Sequence, residues 1–141
     1  MAKCNNLVLM CMDHRFQSFT HSWLKIRGFD GQYDVISVAG SSLALINDTE
    51  HRTMILNNIN LAISKHGVKR IIIFHHEDCA ALGDICMETR EQVKLHHEKM
   101  NQAERIIINN FPYLEIEKYF VSHKGVFYPA GFKDGCDIAK A

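Results

Sequence analysis

Lys69-Arg70-Ile71-Ile72-Ile73-Phe74-His75-His76-Glu77-Asp78-Cys79 is the stretch on which the fold turns. Ile71 to Phe74 is a short, unbroken apolar run rich in β-branched residues, which predicts a strand buried on both faces. His76 and Cys79 stand just past its carboxyl end. Working outward, Leu7-Val8-Leu9-Met10-Cys11 is a second run of the same kind, and Tyr33-Asp34-Val35-Ile36-Ser37-Val38 is a third strand, closed by Ala39-Gly40-Ser41-Ser42. Helical spacing separates these strands. Phe16, Phe19, Trp23 and Ile26 recur on one face with Gly28 as a stop. A long helix is expected from about Leu43 to His66, with Ile55, Ile59, Ala62 and Ile63 inward and Gly67 at its end. Thr89-Arg90-Glu91-Gln92 matches a capping box for a helix to about Asn109, with Val93, Met100, Ala103 and Ile107 inward and Pro112 after it. Tyr119-Phe120-Val121 and Gly125-Val126-Phe127-Tyr128 read as a last strand or a kinked pair. Strands alternating with helices predict an α/β fold, a mostly parallel β-sheet flanked by helices, as one domain over residues 1–141.

Composition narrows the function. The chain has 141 residues, 47% of them hydrophobic, with 16 basic and 16 acidic side chains and a formal net charge of zero. That balance argues against nucleic acid or an anionic membrane as the partner. No apolar stretch approaches the ~20 residues of a membrane span. Met1 to Asn6 is too short and polar for a signal peptide, so a cytoplasmic location is expected. Five cysteines, an odd number, argue for metal or reactive thiols over a disulfide framework, and nine histidines raise the weight of metal.

The chemistry gathers at two strand ends. Cys11 closes the first strand, and His76 and Cys79 follow the third. Ligands collect at the carboxyl ends of parallel strands. Neighbouring strands lie about 4.8 Å apart, a gap that one zinc ion spans with bonds of ~2.0 to 2.3 Å. Two thiolates and one imidazole favour zinc and leave one coordination position open for chemistry. Asp13 and Arg15 alternate with Cys11 on an extended segment, so Asp13 is expected beside the metal with Arg15 holding it ionised and aimed. Released by Arg15, Asp13 becomes a possible fourth zinc ligand that shuts the site.

Cys11-x-Asp13-x-Arg15 followed by His76-x-x-Cys79, each after a hydrophobic strand, resembles the β-class carbonic anhydrases. Ala39-Gly40 falls where that family carries Asn-Ala-Gly, and Gly125-Val126-Phe127-Tyr128 resembles its last strand, so the likeness runs from Leu7 to about Tyr128. The resemblance implies zinc on Cys11, His76 and Cys79, a catalytic Asp13–Arg15 dyad, reversible hydration of carbon dioxide to bicarbonate, and a homodimer or higher homo-oligomer. The chain departs from the pattern at His14, usually Ser, at Ala80, usually Gly, and at Ser37, Val38 and Ser41. Two alternatives keep the metal: hydrolysis of carbon disulfide or carbonyl sulfide, and a catalytically silent zinc protein with Asp13 as the fourth ligand.

Other candidates have blander readings. His75 and His14 alternate away from the ligands, His75 as a packed or exposed side chain and His14 with a proton shuttle as its alternative. His96-His97, between Lys94 and Lys99, is expected on a solvated face. Asp78 is expected to cap the turn or the helix after it. Cys86 is expected in the core, Cys4 and Cys136 as terminal thiols, and the Phe16–Phe19–Trp23 stripe in the core or an interface. The pocket wall is expected from Ala39, Gly40, Ala80 and Leu82.

Overall fold

Ile71, Ile72 and Ile73 are fully buried in the middle strand of a five-stranded sheet. The computed structural model describes residues 2–47, 49–83 and 87–129. The order is β1 (Asn6–Cys11), a 3-10 turn at His14–Phe16, α1 (Gln17–Ile26), β2 (Tyr33–Val38), α2 (Leu43–Asn47), α3 (Thr49–His66), β3 (Arg70–His76), a 3-10 turn at Ala80–Leu82, α4 (Thr89–Asn110), β4 (Glu115–Val121) and β5 (Phe127–Pro129). The sheet runs β2-β1-β3-β4-β5, parallel except for β5, which lies antiparallel on β4. This is the α/β fold with a mostly parallel sheet that the sequence predicts.

The period of two along a strand sorts the core into two layers. Leu7, Leu9, Ile71 and Ile73 pack with Ile55, Ile59 and Ala62 of α3 and with Met100, Ala103 and Ile107 of α4. Val8, Met10, Ile72 and Phe74 pack on the other face with Phe16, Trp23, Leu24 and Phe127. Fully burying one such side chain contributes roughly 1.5–3 kcal/mol, so two filled faces specify the register firmly. β1 and β3 are direct neighbours, with Leu9 opposite Ile73, so the two strand ends that carry cysteine and histidine lie side by side.

Several boundaries differ from expectation. The expected helix from Leu43 to His66 is two helices. The Arg52 guanidinium donates to the Leu45 and Ile46 carbonyls at 2.6 and 3.2 Å, pairing carbonyls in the last turn of α2. β3 extends through His75 and His76, so His76 belongs to the strand and not to the turn after it. Thr89 does not cap α4. Glu88 holds the N-cap position, and the Thr89 hydroxyl donates to Glu77 Oε2 at 2.6 Å. The last apolar segments are two strands, β4 beginning four residues before Tyr119 and β5 ending at Pro129, paired with Tyr119. The outer side of β2 has no strand partner among the described residues. Among them, too, no helix is long and apolar enough to cross a membrane.

Candidate metal centre

The site begins where β1 gives way to a turn. Asp13 leaves the strand at φ −57°, ψ 122°, and its Oδ1 accepts from the Arg15 backbone N–H at 2.9 Å, opening the 3-10 turn. The guanidinium of Arg15 then folds back on the same carboxylate, with Nε 3.1 Å from Oδ1 and Nη2 2.7 Å from Oδ2. A tight turn therefore unites Asp13 and Arg15, in place of the expected alternation along an extended segment. The Arg15 hydrogen bonds hold the Asp13 carboxyl well below the usual carboxylate range. Arg15 Nη2 also donates to the Asp78 carbonyl at 3.2 Å, tying the β1 turn to the loop after β3.

His76 is the last residue of β3, and Cys79 follows it in that loop. His76 is buried, stacks on Phe16 at 4.2 Å, and donates from Nδ1 to the Glu77 carbonyl at 2.9 Å. That bond sets the tautomer and leaves the Nε2 lone pair free. Nε2 is buried without a hydrogen-bond partner and lies 3.8 Å from Asp13 Oδ2. The ligand atoms of Cys11, His76 and Cys79 all lie within 4.8 Å of one another. The Gly40 N–H donates to Cys11 Sγ at 3.3 Å, where φ of +80° suits glycine. A shared hydrogen bond splits the two thiols: with Cys79 donating, Cys11 falls below the usual thiol range, while that bond and burial push Cys79 above it. An orphaned imidazole nitrogen gathered with two cysteine sulfurs is a donor set that fits zinc.

The remaining predicted residues fall as follows. His14 is almost wholly exposed, with Nδ1 3.9 Å from Asp13 Oδ1. His75 is buried; it meets the Ser42 hydroxyl at 2.6 Å and His96 Nδ1 at 2.8 Å, and burial holds it well below the usual histidine range. His96 overturns the solvated-face expectation: it is fully buried beside Phe120, and His97 Nε2 donates to the Tyr128 carbonyl at 2.9 Å. Asp78 caps neither helix. It sits at φ +55°, taking Gln92 Nε2 on Oδ1 at 2.9 Å and meeting His123 Nε2 at 2.7 Å on Oδ2. Phe16 and Trp23 are core residues, whereas Phe19 is 36% exposed. Of the four expected wall residues, Ala39 alone lines the apolar groove of about 520 Å³ beside this loop, with Met12, Val38, Leu43, Ala44 and Ala81 among its companions. Cys4 is half-buried, its Sγ on the Asn6 carbonyl at 3.3 Å; Cys86 and Cys136 lie outside the described residues. Gln92, His123 and Ser42 went unread as site-supporting residues, because contacts across elements leave no short-range spacing signal.

Together the parallel sheet and this strand-end cluster define an α/β protein of the β-carbonic anhydrase fold. The solved structure of β-carbonic anhydrase isoform I from Trichomonas vaginalis matches with a TM-score of 0.63 at 19% identity, covering 92% of this chain and 86% of that one. A tetrameric β-carbonic anhydrase from Sordaria macrospora matches with a TM-score of 0.50 at 17% identity, covering 94% and 83%. Residues 1–130 match the family described as "Putative carbonic anhydrase", and the chain belongs to that family. Two uncharacterized rickettsial proteins are related in sequence. The one from Rickettsia conorii is 30% identical, over 88% of this chain and 70% of that protein. The one from Rickettsia bellii is 29% identical, over 88% and 80%.

Proposed function

We propose that this chain catalyses reversible hydration of carbon dioxide to bicarbonate, with zinc held by Cys11, His76 and Cys79. The observation that carries the reading is the buried, unpartnered His76 Nε2, gathered with two cysteine sulfurs and 3.8 Å from a carboxylate that Arg15 has already engaged. When bound, zinc supplies Lewis acidity that brings a water's pKa toward ~7. Asp13, ionised and clamped, accepts the hydrogen bond of the attacking water and aims its lone pair at the carbon. Arg15 would hold that carboxylate in its present orientation when zinc is bound. Both Asp13 oxygens accept hydrogen bonds from Arg15, so a zinc ion would be held by Cys11, His76 and Cys79, with Asp13 engaged by Arg15.

The substrate is small and apolar, and the groove lined by Met12, Ala39 and Ala81 suits its approach. Homo-oligomerisation and a reducing, cytoplasmic setting that keeps the thiols free complete the reading; the tetrameric Sordaria enzyme supports the former. The test is zinc stoichiometry together with stopped-flow carbon dioxide hydration across pH, for wild type and Asp13→Ala. Stoichiometric zinc with hydration that collapses in Asp13→Ala is expected. Stoichiometric zinc without hydration at any pH overturns the reaction and leaves the metal site standing.

A further inference from the structure

We propose that Gln92 is a positioning residue for the metal centre: its buried carboxamide on α4 fixes the turn that carries Cys79 and presents the Asp78 carbonyl to Arg15. The inference rests on the metal reading above and deepens it.

Gln92 is 4% exposed and fully engaged. Its Oε1 accepts from the Asp78 backbone N–H at 2.8 Å, and its Nε2 donates to Asp78 Oδ1 at 2.9 Å and to the Met87 carbonyl at 3.2 Å. The backbone N–H can only donate, so it fixes which end of the amide faces it. One side chain thus grips Asp78 by main chain and side chain together. Asp78 needs that grip, because its φ of +55° is the left-handed region, which a residue with a Cβ keeps only when its surroundings over-determine it.

The conformation has two outputs. It directs the Asp78 carbonyl to Arg15 Nη2 at 3.2 Å, and the same nitrogen binds Asp13 Oδ2 at 2.7 Å. It also sets the exit of the chain into Cys79, the next residue and a member of the three-ligand group. Gln92 therefore reaches both the clamped carboxylate and a ligand without being part of the ligand group. Groups that orient metal ligands from behind typically change metal affinity ~10–100-fold when removed.

Gln92→Met keeps the length of the side chain and removes all three hydrogen bonds. Cobalt(II) and zinc are the probes, added to metal-free protein. The expected result is a 10–100-fold weaker metal affinity by chelator competition, with altered visible and thiolate charge-transfer bands of bound cobalt. Gln92→Glu places a carboxylate against Asp78 Oδ1 and is expected to show the same defect. Adding Asp78→Asn restores a donor–acceptor match across that contact, and this double variant is expected to recover wild-type affinity within a few fold. Should Gln92→Met not fold, the Gln92→Glu variant and its rescue carry the test alone. A purely structural amide lowers the melting temperature of the metal-free protein but leaves the cobalt spectrum and affinity at wild-type values; that outcome, or failure of the rescue, overturns the proposal. A wild-type chain that takes up neither metal overturns the metal reading and this inference together.

Discussion

The Asp13 carboxylate is held by three nitrogens of one residue, the backbone N, Nε and Nη2 of Arg15. A forked guanidinium can make that match and an ammonium cannot. Arg15→Lys is therefore expected to lower carbon dioxide hydration by at least about tenfold, on the scale of one lost orienting contact, with zinc content unchanged by metal analysis. At the same scale, burial pulls His96 down to about 4. Its folded value lies below its unfolded value near ~6.5, so its contribution to stability is fully present above that value and is lost as pH falls toward 4. The loss across the window is on the order of 3 kcal/mol. Thermal melts of metal-free protein from pH 7 to 4 check this: His96→Leu should flatten the acid limb, whatever it does to absolute stability. The three metal candidates and the Asp13–Arg15 pair were legible in sequence because each follows a strand end at fixed spacing. The supporting side chains were not: Gln92 satisfied a local capping pattern, and that pattern lost to hydrogen bonds across the fold.

α4 shows what separates a legible element from a misread one. Val93, Met100, Ala103 and Ile107 were read as its inward face, and His96 completes that stripe, three residues after Val93 and four before Met100. Treating histidine as polar hid a position that helical geometry had already assigned to the core. The Asn110 end of α4 and the six-residue span of β2 follow expectation closely, since Pro112 and the Ala39-Gly40-Ser41-Ser42 turn mark them. The Arg52 contact to the Leu45 carbonyl carried no such mark, because it joins residues seven apart through a side chain. In β3, Ile72 is fully buried, and Ile72→Ala is expected to cost about 2–5 kcal/mol in chemical denaturation. In the turn after β2, a Cβ on Gly40 would stand 2.7 Å from the Ala81 Cβ at a φ unsuited to it. Gly40→Ala is expected to destabilise the fold by about 1–3 kcal/mol and to weaken zinc binding as well, because the Gly40 N–H on Cys11 moves with the turn.

For the whole molecule, the α/β architecture was readable because hydrophobic runs alternated with helical periods, whereas a homo-oligomer was implied only by the family resemblance, because the faces that would carry it depend on the fold. Val35, Met54 and Leu61 are each more than 40% exposed and line one groove between β2 and α3. Were the proposed homo-oligomer to bury this groove, Leu61→Lys would shift sedimentation velocity toward the single chain. The sheet's two margins differ in kind. Among the described residues β2 offers an edge with no strand partner, while β5 is three residues long and ends in Pro129, which has no N–H to donate. Fibres that grow strand upon strand need a sticky margin at each end of every unit. Two copies joined β2 to β2 bury the open margin of each, so pairing through that edge closes as a two-fold pair instead of growing into a fibre.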